Sequence, residues 1–351
     1  MNLDSKRVKR NKYLALLLSV LLLLSLAACG NDADEPQSDG DAWEAVTITD
    51  QAGREVSIES RPEKIVSGYY ISTSILLSLD CKDRLAGIEA KAKDRSIYAL
   101  AAPELLDLPN VGSAKDFNLE ACIALEPDLV ILPKKLQESA LALEEAGISV
   151  LLISPEDDAL LAEAVTIIAG AVGESERGEE LLRYYDEADQ KLADKGQEAE
   201  TPTVYLAGNS DMLRTCPADM YQNTLIEAAK GQNAAAGIEG DSWVGISYEQ
   251  LLAWDPDYIV IVPEAAYTAE ELCAVPELAG LTAVKEGRVL TMPQAFEAWD
   301  SPVPSGVLGK LWLFAALHPD MYSLEELQDD VADFYQRFYG FEADKELVTL
   351  Q

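Results

Sequence analysis

Two stretches of this chain alternate short apolar runs with helical patterns, and a long glycine-poor segment separates them. Few folds accommodate that order. In residues 65–154, Ile65-Val66, Leu85-Ala86-Gly87-Ile88, Leu129-Val130-Ile131-Leu132 and Val150-Leu151-Leu152-Ile153 read as strands, the third ending at Pro133 and the fourth at Ser154-Pro155. Helices are predicted between them over 72–80, 118–125 and 136–146, the last closed by Gly147. Short apolar runs separated by helical patterns indicate βαβ units and a mostly parallel sheet.

The pattern then changes. Residues 157–171 read as a helix interrupted at Gly170 and Gly173. The segment Glu174–Lys195 holds only Gly178 and keeps Leu181, Leu182, Tyr185, Ala188 and Leu192 on one face. As a helix it spans about 33 Å, at a rise of about 1.5 Å per residue. A polar stretch, Gly196–Pro202, ends it. A second α/β pattern follows, with strands at Thr203–Leu206, Tyr258–Val262 and Val289–Met292. Its helices are expected at Asn223–Ala229, Tyr248–Trp254, Ser305–Leu317 and Leu324–Tyr339. The expected organisation is a first lobe over 45–156, a helical connection over 157–200 with its long helix at 174–195, and a second lobe over 201–351. The two lobes share a phrase: Asn118-Leu119-Glu120 followed by Glu126-Pro127-Asp128, and Ser247-Tyr248-Glu249 followed by Asp255-Pro256-Asp257. Each reads as a helix, a Pro-Asp turn and a strand.

Charge excludes several functions. The chain has 27 Lys+Arg against 62 Asp+Glu, a formal net charge of −35, which opposes general nucleic-acid binding. The single histidine, His318, leaves no basis for a His-rich metal centre or an HExxH protease. No P-loop is present, so the chain itself does not hydrolyse ATP.

The first residues read as an address. Lys6, Arg7, Lys9, Arg10 and Lys12 precede an uncharged run, Tyr13–Ala28, short of the roughly 20 residues a membrane span prefers. A basic start, an apolar middle and small residues at a cleavage point make a secretory signal over 1–28. The sequence Leu26-Ala27-Ala28-Cys29 resembles the lipobox of bacterial lipoproteins, which implies cleavage before Cys29 and lipid on its sulfur. Cleavage removes five basic groups and one acidic one, taking the formal net charge from −35 to −39. Residues 29–44 are acidic and lack large apolar groups up to Asp41, as a flexible tether requires. Cys81, Cys122, Cys216 and Cys273 are scattered through a chain large enough to build its own core, which favours free, partly buried thiols over disulfides.

In parallel α/β sheets ligands bind beyond the carboxyl ends of strands. In the first lobe those positions hold Tyr69 and Tyr70, then Lys91, Lys93 and Arg95 with Tyr98 near, then Lys115 beside Gly112-Ser113, then Lys134 and Lys135. In the second they hold Asn209, Asp211, Met212 and Arg214, then Glu264, with Trp299 and Asp300 after the last strand. Six cations at one edge of an acidic body suggest a ligand with anionic groups, although lysines also serve simply to solvate loop tips. Tyr69, Tyr70, Tyr98 and Trp299 are candidate flat walls for a chelate or macrocycle. Backbone N–H groups near Gly112-Ser113 suit an oxyanion.

Several phrases, in order, resemble bacterial ABC-importer substrate-binding lipoproteins for iron complexes, haem and corrinoids: RPEKIVS at 61–67, DRLAGI at 83–88, NLEACIALEPDLVI at 118–131, YQNTLIEAAKGQNAA at 221–235, ISYEQLLAWDPDYIVI at 246–261 and WDSPVPSGVLGKLWLFAALHP at 299–319. The resemblance covers roughly 45–340. It implies the class III periplasmic-binding-protein fold, two α/β lobes with mostly parallel sheets joined by a single rigid helix, with the ligand between them. It implies docking of Glu120 and Glu249, one per lobe, onto arginines of an ABC permease driven by a cytoplasmic ATPase. Either glutamate alone reads equally as a favourable charge at a helix start; the repeated phrase argues for docking.

The expected function is therefore a non-enzymatic receptor, lipid-anchored on the extracytoplasmic face of the membrane. It binds a siderophore-type iron chelate without a cofactor or metal site of its own. The expected ligand contacts are Tyr69, Tyr70, Lys91, Lys93, Arg95, Lys134, Lys135, Arg214 and Trp299. Haem, cobalamin and molybdate or tungstate are alternative cargoes. A lipid-anchored hydrolase is the alternative from another class, opposed by the lack of a nucleophile motif.

Overall fold

The computed structural model describes residues 43–240 and 242–351; the signal segment, Cys29 and most of the tether lie outside them. Trp43, which composition assigns to the tether, already belongs to the folded body: its indole N–H donates to the Ile58 carbonyl at 3.2 Å.

The first lobe is a four-stranded parallel sheet in the order Leu85–Gly87, Ile65–Ser67, Leu129–Pro133, Ser149–Ile153. The second is a four-stranded parallel sheet in the order Gln232–Asn233, Thr203–Ala207, Tyr258–Ile261, Val289–Thr291. Counted along the chain, both run second, first, third, fourth. In each case the first strand is central because the chain leaves it toward one edge and later returns to its other side.

Strands covered on both faces have continuous apolar sequences, because alternate residues enter two different layers. Ile65, Leu129, Ile131, Leu151 and Ile153 pack on one side of the first sheet. Val66, Val130, Leu132, Val150 and Leu152 pack on the other. Full burial of each such side chain contributes about 1.5–3 kcal/mol before entropy is counted.

Helix Asp158–Val172 ends where Gly173 takes a left-handed φ of 75°. Gly170 lies within the helix and does not interrupt it. The helix packs on the first lobe: Gln51 Nε2 donates to the Leu160 carbonyl and to Glu163 Oε2, each at 2.8 Å. The long helix follows at Ser175–Lys195. It is fastened to the carboxyl-terminal helix Leu324–Tyr339 by Lys191 Nζ on Asp330 at 2.6 Å and Lys195 Nζ on Glu326 at 3.0 Å. That last helix does not stay with the second lobe as sequence position suggests. Tyr339 hydrogen-bonds Ser74 of the first lobe at 2.8 Å, so this helix braces the lobes alongside the single long helix that joins them.

The four cysteines of the described body are free; Cys81, Cys122 and Cys216 are buried and Cys273 is exposed. Burial pushes the Cys81 thiol up to about 11 and those of Cys122 and Cys216 up to about 12. No helix of the described residues is long and apolar enough to cross a membrane.

Candidate functional site

The carboxyl ends of both sheets face a junction between the lobes. On the first-lobe side, Ser67 ends the central strand and Tyr70 begins helix Tyr70–Ser78. The Ser67 and Ser72 hydroxyls donate to the Tyr69 carbonyl at 3.0 and 2.7 Å, which fixes the turn and stands Tyr69 edge-on to Tyr70. The Arg95 guanidinium lies 4.1 Å above the Tyr70 ring, a cation–π placement.

Beneath them Glu89 is buried. Its carboxylate accepts from the Tyr98 hydroxyl at 2.6 Å and from Thr73 Oγ1 at 2.7 Å, with Arg95 Nε 3.5 Å away. At that distance the pair is ionic only, and the buried Nε–H of Arg95 has no hydrogen-bond partner. A buried donor without a partner is costly, so Arg95 is poised to donate to an anionic oxygen.

The second-lobe side presents the segment after strand Val289–Thr291. Glu297 Oε2 accepts from Ser305 at 2.5 Å, and burial raises its pKa. Burial raises the Tyr70 phenol to about 12 against the pull of Arg95 and of Ser301. Asp300 is raised to about 7, first by burial and further by Glu264. Near neutrality the Tyr70 phenol is therefore neutral beside the Arg95 guanidinium, and Asp300, in the second-lobe loop, is about half protonated. The remaining cavity, between Arg95, Ile97, Glu264, Gln294, Phe296 and Glu297, is about 30 Å³.

Of the expected ligand contacts, the structure brings together Tyr69, Tyr70 and Arg95. Lys91 and Lys93 are exposed on the turn leading to Arg95, with Lys91 at a left-handed φ of 68°. Lys134 and Lys135 are exposed after strand Leu129–Pro133 and form no ion pair among the described residues. Arg214 is exposed and donates to the Trp243 carbonyl.

Trp299 is not a wall of the cleft. It is fully buried, its indole N–H donating to Tyr335 at 2.9 Å and its ring stacked on Phe296. Tyr98 is likewise floor rather than wall. The indole beside a second-lobe strand end is Trp243, packed over Gly208 just after strand Thr203–Ala207. Nor is the cleft purely cationic: Glu89, Glu264, Glu297 and Asp300 stand among the cations. Sequence reasoning missed Glu89, Glu297, Ser301 and Trp243; position after a strand flagged neither Glu297 nor Ser301, which lie several residues into a loop.

Larger hollows lie elsewhere. One of about 340 Å³ adjoins the long helix at Leu161, Leu182, Tyr185 and Tyr221. Its cation, Lys310, is already held by Asp158 at 2.8 Å and Asp189 at 3.2 Å. Another contains His318, at the amino-terminal ends of the second sheet, with Glu200, Asp257 and Arg288. The single histidine therefore lies at the opposite end of the strands from the cleft.

Glu120 and Glu249 are both exposed, each the second residue of a short helix, Leu119–Ala124 and Tyr248–Trp254. Asn118 caps the first helix through the Ala121 N–H at 3.0 Å, and Ser247 the second through the Gln250 N–H at 3.2 Å. Each helix ends at an acidic residue of positive φ, Glu126 at 50° and Asp255 at 43°. Two residues on, Asp128 accepts from Lys64 N–H and Asp257 from Thr203 N–H, each at 2.8 Å. These bonds tie both helices to the starts of the central strands.

A family model described as periplasmic binding protein matches residues 65–296. The molybdate-binding protein MolA of Haemophilus influenzae is 28% identical over 320 residues, covering 83% of this chain and 90% of that protein. The petrobactin-binding protein YclQ of Bacillus subtilis is 22% identical over 298 residues, covering 81% and 92%. Among solved structures, a periplasmic solute binding protein from Veillonella parvula superposes with a TM-score of 0.77 at 25% identity, covering 87% of this chain and 96% of that one. MolA bound to molybdate gives 0.75 at 25% identity, covering 85% and 99%.

Proposed function

The chain belongs to the periplasmic binding protein family, the substrate-binding proteins of ABC transporters, and from that membership we propose that it is a lipid-anchored receptor for a small oxyanion of the molybdate class. The observation that carries the choice of ligand is the unpartnered donor at the junction. Arg95, which lines the gap of about 30 Å³, has a buried N–H without a partner and lies over the Tyr70 ring, while Glu297 and Gln294 line the same gap from the second lobe. A guanidinium so placed hydrogen-bonds oxygen of a compact anion. The similarity to a relative named for molybdate supports the same reading. Cys29 anchors the body outside the cytoplasmic membrane, and Glu120 and Glu249 present it to the permease. Family members bind and hand over ligand rather than transform it, and His318, the single histidine, lies at the far end of the strands, so a hydrolase has no histidine base in the cleft.

The iron-chelate reading is the second. Exposed Lys91, Lys93, Lys134 and Lys135 at the rim favour a larger anionic cargo, as do relatives named for petrobactin and siderophores. It requires the lobes to part, because a siderophore exceeds the present gap many times over.

Calorimetric titration of the purified protein with molybdate, tungstate, sulfate, ferric siderophores, haem and cobalamin separates the two. Saturable binding of molybdate or tungstate, lost in Arg95→Ala, is expected. Binding of a ferric siderophore with no heat from the oxyanions overturns the first reading. In cells, Glu120→Ala with Glu249→Ala is expected to abolish molybdate uptake while leaving affinity intact; wild-type uptake removes the docking role.

A further inference from the structure

The two docking helices share more than their glutamates. Three residues past each glutamate, on the same helix face, stands a large aliphatic side chain in solvent: Ile123 at 37% and Leu252 at 40% exposure. Only three other large apolar residues of the described body are that exposed, Leu100, Leu141 and Leu347. A single exposed leucine needs no explanation. Two at the same place in a repeated unit do. The repetition extends to the caps, the left-handed acidic residues and the Pro-Asp turns. The burial of the residues between matches almost position for position, with Cys122 and Leu251 buried and Ala124 and Ala253 exposed. Beside Leu252 the chain places Gly280, which leaves the leucine flank open where a side chain would shield it.

We propose that Ile123 and Leu252 are paired apolar anchors, each inserted by its lobe into a hydrophobic pocket of one of two equivalent permease subunits. This rests on the docking reading of Glu120 and Glu249 and deepens it. Charge complementarity identifies the occupant. Each aliphatic residue stands between two exposed acidic residues, one on its helix and one just past the helix end, Glu120 and Glu126 or Glu249 and Asp255. A covering surface must therefore offer an apolar pocket rimmed by cations, and must offer it twice. The two parts divide the work: rim charges steer encounter and make it salt-dependent, and a buried apolar contact slows departure.

The test measures binding of the full lipidated chain to its permease–ATPase complex in nanodiscs, across a salt series, with molybdate as the probe ligand present and absent. Ile123→Ser and Leu252→Ser are each expected to weaken binding about tenfold, mainly through faster dissociation, with the salt dependence unchanged. Ile123→Val and Leu252→Val should restore most of the affinity. Glu120→Ala with Glu249→Ala should instead flatten the salt dependence. Wild-type affinity in both serine variants overturns the proposal, and if the glutamate pair still loses binding, the docking reading survives it. A loss confined to one lobe overturns the paired form. Both serine sites are exposed, and unchanged melting temperatures verify that the fold is intact.

Discussion

At the scale of single residues, Asp300 is where chemistry and stability meet. Its carboxyl ionises near 3.8 in an exposed setting and near 7 in the fold. The folded chain therefore holds a proton that the unfolded chain has released. That contribution is complete below about pH 4 and lost as pH rises through about 7, on the order of a few kcal/mol. Asp300→Asn is expected to flatten this part of the pH–melting curve and raise the melting temperature at pH 8; an unchanged curve refutes the assignment. Its neighbour behaves differently. Trp299→Ala removes a fully buried indole and orphans Tyr335, so a loss of about 3–5 kcal/mol in urea denaturation is expected. The sequence placed both residues in one cleft loop and could not separate them. Tyr69 and Tyr70 were legible because they follow a strand end directly; Arg95 lies as far past Gly87 as Trp299 does past Thr291, and only its charge among the neighbouring lysines marked it. Trp299 and Asp300 sit deep in a loop, where a turn of one residue exchanges core for cleft and no periodicity records it.

At the scale of elements, helix Gly306–Leu317 shows packing overruling propensity. Alanine is the better helix former by about 1 kcal/mol. At Gly309, however, a Cβ would stand 2.3 Å from the Trp299 carbonyl oxygen, a backbone atom that cannot swing aside. Gly309→Ala is therefore expected to destabilise by about 1–3 kcal/mol on chemical denaturation, and a gain in stability contradicts the packing described. The helix was legible from its apolar run, as were the long helix and seven of the eight strands of the two sheets. The hairpin Val46–Thr49 with Glu55–Ile58 was not. Its turn is built by a buried carboxylate: Asp50 accepts the N–H groups of Ala52 and Arg54 and reaches across to Leu152 at 3.0 Å. That last partner is a hundred residues away in the chain, beyond any local pattern. Strand Gln232–Asn233 escaped for another reason. It is two polar residues long and is a strand only by pairing with Thr203–Val204.

At the scale of the molecule, the relation between lobes is set by bracing. Lys310 of the second lobe is held between Asp158, at the start of the helix that packs on the first lobe, and Asp189 of the long helix. Lys310→Ala leaves two carboxylates facing each other and is expected to cost about 1–3 kcal/mol in thermal denaturation, with Lys310→Met less damaging because it fills the space. A neutral result for both removes the lysine from the brace. With two helices spanning the lobes, small-angle scattering curves recorded with and without saturating molybdate are expected to superimpose; a clear fall in radius of gyration shows a hinge instead. The lobe–helix–lobe order was legible from the sequence. The return of the last helix to the first lobe was not, since amphipathic spacing states that a face is buried and not against what.

The sulfur atoms carry a consequence for how such a chain reaches its working form. Three thiols are sealed in the interior as the protonated species, and the fourth has no neighbour to join. Nothing in the described body waits for an oxidant, because no native bridge has to form among the described residues. A protein made like this can reach its working form in anoxic surroundings.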